Sequence, residues 1–195
     1  TFRKKVWLKM EKVKFNQMKD GTKEEYLFLD KLEKKHIGKT GDRILAFMNK
    51  LNTSLEGYKI TRLEHSLQTA TRALNDKASD EMIVAALLHD IGDELAPSNH
   101  AECAAAILKP FVSEKTCWII EKHGIFQMYY YAHHLKGNKN ERDKFKGHKY
   151  YKDTINFCEN WDQKSFDPNF KSLGLKDFKP YVNKIFSRTP FSNKI

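Results

Sequence analysis

Ile83-Val84-Ala85-Ala86-Leu87-Leu88-His89-Asp90-Ile91-Gly92 is the stretch on which the reading of this chain turns. Six apolar residues in a row follow Ser79-Asp80-Glu81, which supplies a capping hydroxyl and two acids for a first helical turn. Val84, Leu87, Leu88 and Ile91 keep the i, i+3, i+4, i+7 spacing of one helix face, and Gly92 reads as the stop. The run then delivers an imidazole and a carboxylate side by side, His89 and Asp90, at the edge of a buried element. A carboxylate taken out of water needs a partner that offsets its desolvation. A metal ion is such a partner, and it uses both side chains at once.

Working outward, the apolar spacing stays helical. Leu63, Leu67, Ala70 and Leu74 form a second stripe. Asn99 to Glu102 has capping-box spacing ahead of Ala104, Ala105, Ile107 and Leu108, and Pro110 ends that helix. Ser113 opens another, carrying Cys117, Ile119 and Ile120 and ending near His123-Gly124. Further helices are predicted over 125–136, 139–146, 149–162 and 177–187, the last with Phe178, Tyr181, Val182, Ile185 and Phe186. Strand alternation and hairpin signals are absent. The expected fold is an all-α helical bundle with an N-terminal helical extension.

Composition narrows the classes. The 195 residues suit one domain with a full core, and 40% apolar content fits a folded chain. No apolar run approaches the ~20 residues of a membrane span. The basic start Thr1-Phe2-Arg3-Lys4-Lys5 leads into no apolar segment, so no signal peptide is expected. Cys103, Cys117 and Cys158 are odd in number and form no CxxC, which suggests a reducing cytoplasm. A net charge of +10 invites nucleic acid as a partner, but only six of the 35 basic residues are arginine and the lysines run along the whole chain. A solvated surface is the better reading, so neither nucleic acid nor membrane is an expected partner.

The histidines are His36, His65, His89, His100, His123, His133, His134 and His148. His36 lies in the Lys-rich extension and is given no role. His65, His89, His100 and His123 each fall near the end of a predicted helix. An up-and-down bundle brings such ends to one region, as in metal sites built between helices. Asp162, in Asn160-Trp161-Asp162-Gln163, adds a late carboxylate.

His65, His89-Asp90 and Asp162 together resemble the HD-domain superfamily of metal-dependent phosphohydrolases. With His100 and His123 the set resembles its six-ligand, two-metal branch. Leu63-Glu64-His65-Ser66-Leu67-Gln68, Ala85 to Gly92, Asn99-His100-Ala101-Glu102 and Trp161-Asp162 are similar to the HD-fold oxygenases that cleave hydroxyphosphonates. Myo-inositol oxygenase is a more distant relative. The resemblance covers residues 55–165 as the metal-binding core, with 1–50 as the extension and 166–195 as a C-terminal loop and helix of one HD-type domain. It implies that His65, His89, Asp90 and Asp162 bind one metal, and His100 and His123 the other, with Asp90 bridging. It further implies an Fe(II)/Fe(III) pair, O2 as co-substrate, and oxidative cleavage of a C–P or C–C bond.

The chain departs from that pattern at two places. Gln127 stands where the hydroxyphosphonate enzymes carry a phosphonate-pairing lysine. Arg62 stands where a glutamine is usual, and the preceding gating segment differs, reading Glu56-Gly57-Tyr58-Lys59. Both count against aminohydroxyethylphosphonate as the substrate. Tyr58, Arg62, Gln127, Tyr131, His133 and His134 are the candidate substrate contacts, in part because Tyr129-Tyr130-Tyr131 cannot all face a core. Glu64 and Glu121 are candidates for orienting an imidazole. The leading expectation is a diiron oxygenase acting on a small, anionic, hydroxylated molecule. A two-metal phosphohydrolase using Mn or Mg is the alternative, and a non-catalytic binding domain comes last.

Overall fold

The computed structural model describes residues 10–192, so the basic start at Thr1–Lys5 lies outside the described residues. The chain divides into two compact units, Thr1–Thr40 and Gly41–Ile195. Among the described residues every regular element is helical and no strand occurs. No described helix is long and apolar enough to cross a membrane.

The smaller unit is built on α1 (Lys23–Ile37). Thr22 and Glu25 close a reciprocal capping box at its start. The Glu25 carboxylate also accepts from the Lys14 N–H at 2.6 Å, which ties the preceding segment to the helix.

The larger unit contains α2 (Thr40–Met48), α3 (Arg62–Asn75), α4 (Asp80–Leu88), α5 (His100–Leu108), α6 (Glu114–Tyr131), α7 (Tyr151–Phe157) and α8 (Leu175–Phe186). Its centre is α4. All six residues Ile83–Leu88 are buried, so this helix is apolar all round and is enclosed rather than half-exposed. It packs against α3, α6 and α8. Ser79 caps it through the Met82 N–H, as its sequence predicts. Glu81, in its first turn, accepts from the Ser113 N–H at 3.0 Å and pairs with Arg188, pinning α4 to the start of α6 and the end of α8.

Six local readings are corrected. The helix does not run to Gly92; it ends at Leu88, and Ile91–Glu94 forms a separate 3-10 turn. The glycine serves close approach instead: a Cβ at Gly92 would lie 2.6 Å from the His100 carbonyl oxygen. Asn99 makes no side-chain cap bond. α6 passes straight through Gly124, so His123 sits in mid-helix rather than at an end. An interior glycine costs about 1 kcal/mol relative to alanine, less than the burial of Ile119, Ile120 and Phe126 around it returns. The predicted helix over 139–146 is a 3-10 turn, Glu141–Phe145. The predicted helix over 149–162 is α7 continued by a π turn, Cys158–Asp162. α8 starts two residues before the predicted 177 and tolerates Pro180, because Phe178, Val182, Ile185 and Phe186 are buried along one face.

Candidate metal centre

α3 begins with a capping box in which Thr61 accepts from the Glu64 N–H and Glu64 accepts from the Thr61 N–H. The cap fixes the first turn and sets His65 on the buried side of the helix one residue later. The His65 Nδ1 lies 2.8 Å from the Ser165 carbonyl. His89, the residue that closes α4, places its Nδ1 2.8 Å from the Ala86 carbonyl, and His123 on α6 places its own 2.7 Å from the Ile120 carbonyl. A carbonyl only accepts, so each of these Nδ1 atoms carries the proton. In the neutral rings every Nε2 then presents a lone pair to the interior.

Those lone pairs converge. The Nε2 atoms of His65 and His89 are 3.0 Å apart. Asp90 stands between two pairs of imidazoles. Its Oδ2 is 3.3 Å from His65 Nε2 and 3.2 Å from His89 Nε2. Its Oδ1 is 3.3 Å from His123 Nε2 and 3.4 Å from His100 Nε2. The π turn that follows α7 delivers Asp162, whose Oδ1 is 3.2 Å from His65 and 3.6 Å from His89. Single π turns are rare and concentrate at functional sites, because they re-aim side chains without ending the helix.

The electrostatics ask for added positive charge. Burial alone would lower His89, but Asp90 and Asp162 outweigh it and carry the imidazole up to about 10. His65 is raised in the same way, against burial, by its bonds to Asp162 and Asp90. Burial favours the neutral carboxyl at Asp90, yet His89 and Arg62 hold it well below the usual carboxylate range. Asp162 is lowered against burial by its bonds to His65 and His89.

The donors fit a metal. The Asp162 Oδ2 atom is buried and has no hydrogen-bond partner among the described residues, and such an atom is costly unless something else satisfies it. The facing lone pairs of neutral His65 and His89 repel, and a bound cation relieves that repulsion as a shared proton would. Three groups, His65–His89–Asp162, His89–Asp90–His123 and Asp90–Asp93–His100, each bring ligand atoms close enough to hold one ion. These overlapping clusters could hold a dinuclear site. Imidazole nitrogen with carboxylate oxygen suits a divalent transition metal.

All six residues singled out as ligands in the sequence fall in these groups. Asp93 joins them unannounced. It follows Asp90 by three residues, and side chains three apart line up on a 3-10 turn. Its Oδ1 is 3.5 Å from His100 Nδ1. Arg62, the first residue of α3, reaches into the same region. Its Nε donates to Asp93 Oδ2 at 2.7 Å, and its Nη2 pairs with both Asp93 and Asp90.

A cavity of about 680 Å³ opens beside the centre. Tyr58, Arg62, Gln127 and Tyr131 line it, as do Tyr130, from the same tyrosine run, and Phe166, which the sequence reading passed over. Phe166 stacks on His65 with centroids 4.3 Å apart, and Tyr58 stacks on Phe166 at 5.2 Å. Gln127 donates from Nε2 to Asp162 Oδ1 at 3.2 Å. His133 and His134 lie outside this lining; they are exposed and pack against each other. Glu64 serves as the cap of α3, and Glu121 pairs with Lys122. The backbone carbonyl that orients His65 belongs to Ser165, which no side-chain motif could have announced.

No curated protein matches the chain. The family model described as HD domain matches residues 62–154, taking in His65, His89, Asp90, His100 and His123 and stopping short of Asp162. HD domains are usually metal-dependent enzymes. The match and the buried histidine–aspartate clusters together support the assignment of this stretch of the chain to the HD superfamily.

Proposed function

We propose that this protein is a mixed-valent diiron oxygenase that uses O2 to oxidise and cleave a C–P or C–C bond in a small, anionic, hydroxylated substrate. The observation that carries the reading is Asp90, whose two carboxylate oxygens each face a different pair of imidazoles. That is the disposition a carboxylate bridging two ions needs. His65, His89, Asp90 and Asp162 would hold one ion, and His100, His123 and Asp90 the other. Iron held there would supply one-electron redox chemistry toward substrate and O2.

The chain's own residues bind and orient. The backbone carbonyls at Ser165, Ala86 and Ile120 fix the imidazole tautomers, as outer partners of metal-binding histidines do. Gln127 fixes the Asp162 carboxylate. Tyr58, Tyr131 and Phe166 give the cavity an aromatic wall at its open side. Among the residues lining the cavity, Arg62 alone carries a permanent positive charge, and Asp90 and Asp93 already pair with it, so an anionic group would depend chiefly on the ions. The expected partners are therefore a small molecule and O2, with no role for nucleic acid.

The test is to load metal-free protein with Fe(II) without air and admit limited oxygen. Two irons per chain and a mixed-valent electron paramagnetic resonance signal are expected; one ion, or no such signal, overturns the reading. A two-metal phosphohydrolase is favoured by one observation, the third carboxylate at Asp93, because added oxygen donors suit Mn or Mg. Sustained phosphate release from ester substrates with Mn(II) or Mg(II) in the absence of oxygen would establish it instead.

A further inference from the structure

Arg62 occupies a place where a cation is disfavoured. It is the first residue of α3, at the positive pole of that helix. It is also buried, and burial removes the water that ordinarily solvates a guanidinium. What holds it there is the pair Asp90 and Asp93. Both Nε and Nη2 meet Asp93 Oδ2, at 2.7 and 2.6 Å, and Nη2 also meets Asp90 Oδ2. The same Asp90 oxygen faces His65 and His89. Asp162 is engaged elsewhere, by His65, His89 and Gln127. The charge of Arg62 is thus spent unevenly: Asp93, which belongs to one group only, Asp90–Asp93–His100, takes contacts from both Nε and Nη2, the shared Asp90 takes one at the oxygen facing His65 and His89, and Asp162 of the other group takes none.

We propose that Arg62 is a resident cation that sets the order in which the centre fills. The His65–His89–Asp162 side takes the first divalent ion. The Asp90–Asp93–His100 side takes the second more weakly, against the charge of a guanidinium already seated on two of its ligands. Like charges a few ångströms apart in a poorly solvated site oppose each other strongly, whereas a neutral donor of similar length does not. Arg62 is therefore a positioning residue for Asp90 and Asp93 and a brake on the second ion. This inference rests on the two-metal reading given above.

The test is a titration of the metal-free full chain with Mn(II), following the paramagnetic resonance signal of the free ion. The wild type is expected to bind two ions with constants at least tenfold apart. R62Q keeps a donor but removes the charge; it should tighten the second constant at least tenfold, move the first less than threefold, and close the gap. R62K keeps the charge and should keep the gap. D93N should weaken the second constant and spare the first. Wild-type binding of two ions with equal constants, or an R62Q gap that stays as wide as in the wild type, overturns the inference while leaving the two-metal reading intact. Should R62Q fail to fold by circular dichroism, D93N decides: both constants unchanged is the overturning result. Fewer than two Mn(II) ions on the wild type overturns the two-metal reading and this inference with it.

Discussion

His65 and His89 point their Nε2 atoms at each other across 3.0 Å, although both rings spend their Nδ1 proton on a backbone carbonyl. With both rings neutral those two lone pairs repel, and either a proton or a metal ion between them removes the repulsion. A bound divalent ion stabilises the folded chain by about 2.7 kcal/mol when its free concentration is a hundred times its dissociation constant. For a domain of this size that corresponds to a rise in melting temperature of about 5–11 °C. Thermal unfolding with Mn(II) or Fe(II) should show that rise, a chelator should reverse it, and H65A or H89A should abolish it.

Gln68 holds the segment that orients His65. Its amide donates to the Asp167 carbonyl at 2.8 Å and accepts from the Asp167 N–H at 3.3 Å. The pair fixes the chain just past Ser165, whose carbonyl receives the His65 proton. Q68A should leave the helices in place yet weaken metal binding about 10-fold to 100-fold, the usual cost of removing an outer partner. Equilibrium dialysis beside a circular dichroism spectrum separates the two effects.

Gly92 admits no side chain. A Cβ there would lie 2.6 Å from the His100 carbonyl oxygen and 2.7 Å from its Cα, and neither is the end of a flexible group. G92A should cost about 1–3 kcal/mol by overpacking. It should also push His100 off Asp90, so that denaturant unfolding shifts and one of two bound metals is lost.

Glu81 carries a pH dependence of its own, away from the centre. Burial raises its pKa, but the bond from the Ser113 N–H and the Arg188 guanidinium more than offset that and hold it below the ordinary 4.5. A carboxylate lowered in the folded state contributes stability that is fully present above its unfolded pKa and is lost as pH falls through the folded value. The difference in unfolding free energy between wild type and E81Q should be about 1–3 kcal/mol at neutral pH. It should shrink below pH 4.5, because only the wild type loses a charge there; denaturant melts across that range measure it.

The elements that could be read from the sequence are those whose residues are dictated locally. Ser79 and the unbroken run Ile83–Leu88 specify a capped, fully buried helix with no help from the rest of the chain. The six candidate ligands stand out in the sequence only as a set, through an ordered histidine–aspartate pattern that resembles a known family, since a single histidine on an apolar helix is more often structural. The remainder depended on contacts between distant residues. Nothing near Gly124 reveals that α6 continues through it; the reason lies in what Ile119, Ile120 and Phe126 bury. Asp93 was hidden by the assumption that α4 reached Gly92, for only a 3-10 turn aligns it with Asp90. Phe166 and Ser165 act on His65 across a hundred residues, one by stacking and one through its main chain.

The π turn at Cys158–Asp162 leaves the centre tolerant of one kind of change. Such a turn holds one residue more than the α-helix it interrupts. Deleting a single codon between Cys158 and Trp161 would restore ordinary winding at about 3.6 residues per turn and leave Asp162 at nearly the angle it has now. The same deletion inside α3 would swing every later side chain of that helix through about 100°. Descendants of this gene can thus shorten here and keep the carboxylate against the imidazoles, where a loss of equal size in α3 would scatter them.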